Sequence, residues 1–122
     1  MSPLALIIED DEDLANIFVE AVRGVGFDVE LVADGKMAEE RLKNGTVPFL
    51  ILLDMHLPHV SGADLLTGII KQDERFAKTM IIITTADARM GEAYSDQVDF
   101  VMIKPISYVQ LRDLTSRLKP RE

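Results

Sequence analysis

Residues able to do chemistry recur directly after short apolar runs. Glu9-Asp10-Asp11-Glu12-Asp13 follows the run at 4–8, and Asp54 follows the run at 49–53. Thr84-Thr85 closes the run that starts at residue 80, and Lys104-Pro105 follows the run at 100–103. If the first and third runs are neighbouring strands, Glu9, Asp10 and Asp54 converge on one small pocket. Three carboxylates in that space repel one another and are costly to ionise without a cation. A hard divalent ion with oxygen ligands resolves the conflict, and Mg²⁺ is the natural candidate. Lys104 adds a point charge and Thr85 a hydroxyl. Together they describe a receptor for a small dianion beside Mg²⁺, with a carboxylate that could act as a nucleophile.

Each residue also has an ordinary structural role. Five acids in a row suit a solvated loop ahead of a helix, where negative charge meets the helix's positive end. An Asp after a strand is commonly a cap or turn former, and Lys-Pro is commonly a loop. Thr84 and Thr85 could satisfy backbone groups. What sets these residues apart is coincidence: acid, acid, Thr and Lys all fall at the same end of different strands.

The elements that would position them follow from periodicity. Apolar runs occur at 4–8, 29–33, 49–53, 80–83 and 100–103. Four are continuous, as in strands buried on both faces of a parallel sheet. The second, Asp28-Val29-Glu30-Leu31-Val32, carries a charge mid-run and suits an edge. Helix-period segments alternate with the runs. Leu14, Ile17, Phe18, Ala21, Val22 and Val25 mark the first helix, stopped at Gly24-Val25-Gly26. Ala38 and Leu42 mark the second, entered at Asp34 and ended by Asn44-Gly45. Leu65, Leu66, Ile69 and Ile70 mark the third, with Ser61 as N-cap. Residues 88–97 hold a short fourth despite Gly91. Leu111, Leu114 and Leu118 mark the fifth, opened by a capping box at Ser107-Tyr108-Val109-Gln110. Strict βα alternation with short connections defines an α/β fold with a doubly wound parallel sheet. Ligands of such sheets sit beyond the carboxyl ends of the strands, where the chemistry-bearing residues fall.

Composition narrows the classes. The 122 residues fit one domain, and 48% hydrophobic content supports a real core. With no cysteine there is no disulfide framework, thiolate metal site or cysteine nucleophile. The formal charge of −8, from 21 acids against 13 bases, argues against direct nucleic-acid binding. No apolar run approaches a membrane span. The apolar start, residues 1–8, lacks a basic flank and runs into five acids, so it does not resemble a signal peptide. The expected compartment is the cytoplasm.

Taken in order, four stretches resemble the receiver domains of two-component response regulators. They are Ala5-Leu6-Ile7-Ile8-Glu9-Asp10-Asp11-Glu12, Ile51-Leu52-Leu53-Asp54-Met55-His56-Leu57-Pro58 through Gly62, Ile82-Ile83-Thr84-Thr85-Ala86, and Val101-Met102-Ile103-Lys104-Pro105. The resemblance covers the whole chain, 1–122, as a single receiver domain. It implies a flavodoxin-like (βα)5 fold with a five-stranded parallel sheet in the order 2-1-3-4-5. It implies Mg²⁺ held by Glu9 and Asp10, with Asp11 as the other claimant, together with Asp54 and the backbone carbonyl of His56. It further implies Asp54 as phosphoacceptor, Thr85 as switch hydroxyl and Lys104 as the phosphate-pairing lysine, with Pro105 often in a cis peptide. The implied partner is a sensor histidine kinase or phosphotransfer protein, and the domain would catalyse only its own phosphorylation and dephosphorylation.

The sequence departs from that family at the output side. Three residues before the lysine, where Tyr or Phe is usual, stands Val101. Phe100, one residue earlier, faces the other side of the sheet by strand alternation. The stretch from Thr85 to Lys104 is shorter than usual by about one helical turn, the loss falling on the fourth helix. The fifth run would be an apolar edge strand that this helix covers less well. The surface around the fourth helix, fifth strand and fifth helix is therefore expected to meet a second copy or a downstream protein. No output segment is read after the fifth helix, which fits either a docking receiver or a piece of a longer chain. Two other readings compete. One is a degenerate receiver acting as an interaction module without phosphorylation. The other is an aspartyl-phosphate hydrolase, superficially offered by Asp11-Glu12-Asp13 but lacking a cap domain and a late acidic pair.

Overall fold

The computed structural model describes residues 2–120. Five strands, β1 (Leu4–Ile8), β2 (Asp28–Val32), β3 (Leu50–Asp54), β4 (Met80–Thr85) and β5 (Phe100–Ile103), alternate with five helices. The helices are α1 (Glu12–Gly24), α2 (Gly35–Lys43), α3 (Gly62–Gly68), α4 (Ala88–Tyr94) and α5 (Tyr108–Leu118). The strands form one parallel sheet in the order β2-β1-β3-β4-β5, as the resemblance implies.

Strand alternation divides the core in two. Ala5 and Ile7 of β1, Leu50 and Leu52 of β3 and Ile82 of β4 pack with Phe18, Ala21 and Val22 of α1 and Leu111 of α5. Leu6 and Ile8, Ile51 and Leu53, and Ile81 and Ile83 point the opposite way. They pack with Ala38 and Leu42 of α2, Leu65 and Leu66 of α3 and, at the margin, Met90 and Tyr94 of α4. Continuous apolar runs are needed in β1, β3 and β4 because both faces are covered. Edge strand β2 tolerates its mid-run charge because Arg41 of α2 reaches back to it, its Nε donating to Glu30 Oε2 at 2.6 Å.

Polar caps set the helix starts. Asp11, Asp34, Ser61 and Asp87 each accept a backbone N–H of the first turn of α1, α2, α3 and α4, and Ser107 with Gln110 forms the capping box of α5.

Several details differ from the periodicity. Ile17 belongs to the apolar stripe of α1 by spacing but is 39% exposed. Helix α3 ends at Gly68, and Ile70 enters the core from a 3₁₀ turn, Ile70–Gln72. The fourth helical segment is two pieces, α4 and a 3₁₀ turn at Ser95–Gln97. Strand β5 is a continuous apolar run yet not buried on both faces: Phe100 is 37% and Ile103 44% exposed, because β5 is the second edge and α4 is short.

Candidate functional site

The site lies beyond the carboxyl ends of β1, β3, β4 and β5. Because β1 and β3 pair directly, with Ile8 opposite Leu53, the residues that follow them meet. Glu9, Asp10 and Asp54 each offer a carboxylate oxygen, and these oxygens lie within 4.8 Å of one another. Glu9 and Asp54 are 1% and 2% exposed, whereas Asp10 is open to solvent. Asp11 is not part of the cluster. Its Oδ1 accepts the Leu14 N–H at 3.1 Å as the N-cap of α1, which separates the two claimants.

Lys104 enters from the end of β5. Its Nζ lies 3.0 Å from Glu9 Oε1 and 3.4 Å from Asp54 Oδ1. Its own N–H donates to the Thr85 carbonyl at 2.8 Å, tying the ends of β4 and β5 together, and the following Lys104-Pro105 peptide is cis. Burial penalises the ammonium charge, but the two carboxylates outweigh it and raise the lysine above its ordinary value. One ammonium does not balance the acids. Burial pushes the Glu9 carboxyl up to about 7 against the backbone N–H of Asp11 and Lys104, with the Asp54 charge adding to the rise. Burial likewise raises Asp54, opposed by the His56 N–H and by Lys104. Glu9 Oε1 is buried, and Lys104 approaches it without an aligned hydrogen bond. A surplus of buried carboxylate, an under-coordinated oxygen and an all-oxygen donor set with one open side fit a small divalent cation.

The loop after β3 is clamped by two close backbone approaches. A Cβ on Gly62 would stand 2.1 Å from the Asp54 carbonyl oxygen, and one on Gly35 would stand 1.8 Å from the Val60 carbonyl oxygen. Any larger residue would displace the loop. Within it, the His56 N–H donates to Asp54 Oδ1 at 3.1 Å and the Gly62 N–H to the Met55 carbonyl at 3.2 Å. His59 takes φ of 71° in the same loop.

Thr85 is fully buried and does not hydrogen-bond to Asp54. Its Oγ1 accepts the Asp87 N–H at 3.0 Å and lies 3.2 Å from Nε2 of the exposed His56 ring. No spacing rule reveals this His56–Thr85 contact, since the residues are 29 apart in sequence and meet only because β3 and β4 pair. Thr84, opposite Asp54 in register, is 1% exposed, and its Oγ1 has no hydrogen-bond partner among the described residues. The backbone-satisfying role open to it in the sequence is therefore not taken up.

The model of the response regulator receiver domain matches residues 5–116, and the chain belongs to that family. It is 31% identical to the probable methanogenesis regulatory protein FilR2 of Methanothrix harundinacea, over 95% of this chain and 81% of that protein. It is 33% identical to the hybrid signal transduction histidine kinase M of Dictyostelium discoideum, over 93% of this chain but only 5% of that much longer protein. Among solved structures, the signal receiver domain of a putative Luxo repressor protein from Vibrio parahaemolyticus superposes with a TM-score of 0.79 at 27% identity, covering 97% of this chain and 90% of that one.

The chain is thus a phosphoacceptor receiver domain of two-component signalling. Its acidic cluster is of the kind that serves Mg²⁺-dependent phosphorylation, and the domain catalyses only its own phosphorylation and dephosphorylation. Its partner class is a sensor kinase or phosphotransfer protein. Among the described residues no helix is long and apolar enough to cross a membrane.

Proposed function

We propose that residues 1–122 act as a single receiver unit in which Asp54 takes the phosphoryl group. The carrying observation is the buried Asp54 carboxylate, set between Lys104 at 3.4 Å and the acids Glu9 and Asp10. A carboxylate oxygen of Asp54 attacks phosphorus as the bond to the donor's imidazole nitrogen breaks, and that nitrogen leaves with the electron pair. The His56 N–H on Oδ1 fixes the orientation of the attacking carboxylate. Lys104 neutralises charge on the transferring group, the largest contribution such sites make. Glu9, Asp10, Asp54 and the His56 carbonyl would hold Mg²⁺, which supplies charge neutralisation at the phosphoryl oxygens. Thr85 reads the product by reaching the new phosphoryl oxygens, and α4, β5 and α5 form the surface that changes. Exposed Phe100, Ile103, Tyr108 and Val109 support that surface as the contact for a second copy or a downstream protein.

Acetyl phosphate with Mg²⁺ tests the assignment. One acid-stable, base-labile phosphate is expected per chain, absent in Asp54→Asn, and Asp10→Asn should weaken Mg²⁺ binding and slow the reaction. A label placed by mass spectrometry on Asp11 or Asp13 overturns it.

A further inference from the structure

The hydroxyl of Thr85 is engaged by groups other than Asp54. It has one hydrogen to give and two lone pairs to receive with. The Asp87 N–H occupies one lone pair at 3.0 Å. Two groups remain in reach, His56 Nε2 at 3.2 Å and the Asp87 carbonyl at 3.5 Å. If Nε2 carries no proton, the hydroxyl donates to it. If Nε2 is protonated, the ring donates to the oxygen and the hydroxyl hydrogen turns to the Asp87 carbonyl. In either tautomer the hydrogen is already in use, and it must be released before Thr85 can donate to a phosphoryl group on Asp54.

The ring is not there by chance of a loose loop. The His56 N–H is bonded to Asp54 itself, and Gly62 and Gly35 hold the loop against backbone on two sides. At the other end, Thr85 is bonded to Asp87, whose carboxylate caps α4 through the Arg89 N–H at 2.9 Å. The Thr85 Cγ2 lies 3.6 Å from where a Cβ on Gly91 would stand, so its methyl faces the underside of α4. The acceptor loop, the Thr85 hydroxyl and the start of α4 therefore form one connected set.

We propose that the His56 side chain is a latch, a positioning residue that holds the Thr85 hydroxyl in the unphosphorylated arrangement and opposes its transfer to the phosphoryl group. This inference rests on Asp54 being the phosphoacceptor. The His56–Thr85 bond exists in one of the two states only, so it biases the equilibrium toward the resting one. Removing it raises the share of the responsive state and tightens binding of anything that needs the hydroxyl free.

The probe is beryllofluoride with Mg²⁺, titrated into the full chain and followed by amide NMR shifts over residues 85–94. In His56→Leu the apparent affinity should rise about threefold to tenfold, the range for one net hydrogen bond. Without the probe, its shifts should move part of the way along the line joining the two wild-type states. His56→Gln, whose amide nitrogen reaches about as far as Nε2, should return both readouts toward wild type. In a Thr85→Ala background His56→Leu should have no further effect on affinity. Unchanged or weaker affinity in His56→Leu overturns the latch, as does an effect that persists without the Thr85 hydroxyl. A wild-type protein that does not respond to beryllofluoride, or an Asp54→Asn variant that still does, overturns the phosphoacceptor assignment instead.

Discussion

Glu9 shows what one buried side chain does to the whole domain. Its carboxyl sits at about 7 in the fold, raised chiefly by burial, against 4.5 for the ordinary group. The fold therefore favours the protonated form. That contribution to stability is complete below pH 4.5 and is lost as pH rises through about 7. Asp54 is shifted in the same direction and adds to the trend. Without divalent ions, the urea midpoint should fall as pH is raised across this window, and Glu9→Gln should flatten the fall. Metal ligands bind deprotonated, so Mg²⁺ affinity should climb over the same interval. A urea midpoint independent of pH between 4.5 and 7 would show that Glu9 is not strained in the metal-free fold.

Helix α4 and strand β5 fit one another through the absence of bulk. A Cβ on Gly91 would stand 2.8 Å from Val101 Cγ1 and 3.1 Å from Ile103 Cδ1. The helix thus lies directly on the β-branched residue that replaces the family's usual aromatic. Two unusual features, a glycine in a seven-residue helix and Val at that position, are one packing arrangement. Gly91→Ala gains helix propensity but overpacks this contact, and the expected net loss is about 1–3 kcal/mol. Val101→Ala should also cost stability, as a truncation does. Combining the two should cost less than the sum, because the second removes the atom the first collides with. Thermal or urea unfolding of the four proteins measures this, and strict additivity would show that α4 does not rest on Val101. The same packing sets Val101, rather than a ring, against Gly91 of α4, and the coupling proposed above runs through Thr85, Asp87 and the start of α4.

The molecule is asymmetric about its sheet. Edge β2 is charged and braced by Arg41, while edge β5 is apolar and partly bare. An uncovered apolar edge favours association. With beryllofluoride, sedimentation should show concentration-dependent growth toward a dimer, and Ile103→Glu should hold the protein monomeric while leaving beryllofluoride binding intact. A wild-type protein that stays monomeric with the mimic bound would assign this face to a different protein.

Alternating apolar runs and helix-period stripes were enough to set the element order, because burial on two faces demands them wherever the sheet falls. The caps at Asp34, Ser61 and Ser107 were equally readable, since a cap is a local bond between residues three apart. The acids, Thr85 and Lys104 announced a site because a parallel sheet collects the ends of its strands at one rim. Element ends were less readable: Ile17 and Ile70 obey a helix period, yet neighbours decide that one is exposed and the other enters the core from a 3₁₀ turn. Residue order alone left Asp11 as a claimant beside the Asp10 that the resemblance implied, because which acid joins the cluster depends on which one caps α1. Nor could it join His56 to Thr85, or Gly91 to Val101. Those pairs come together only when β3 meets β4 and α4 settles on β5, and contacts between distant segments are created by packing, which no local pattern records.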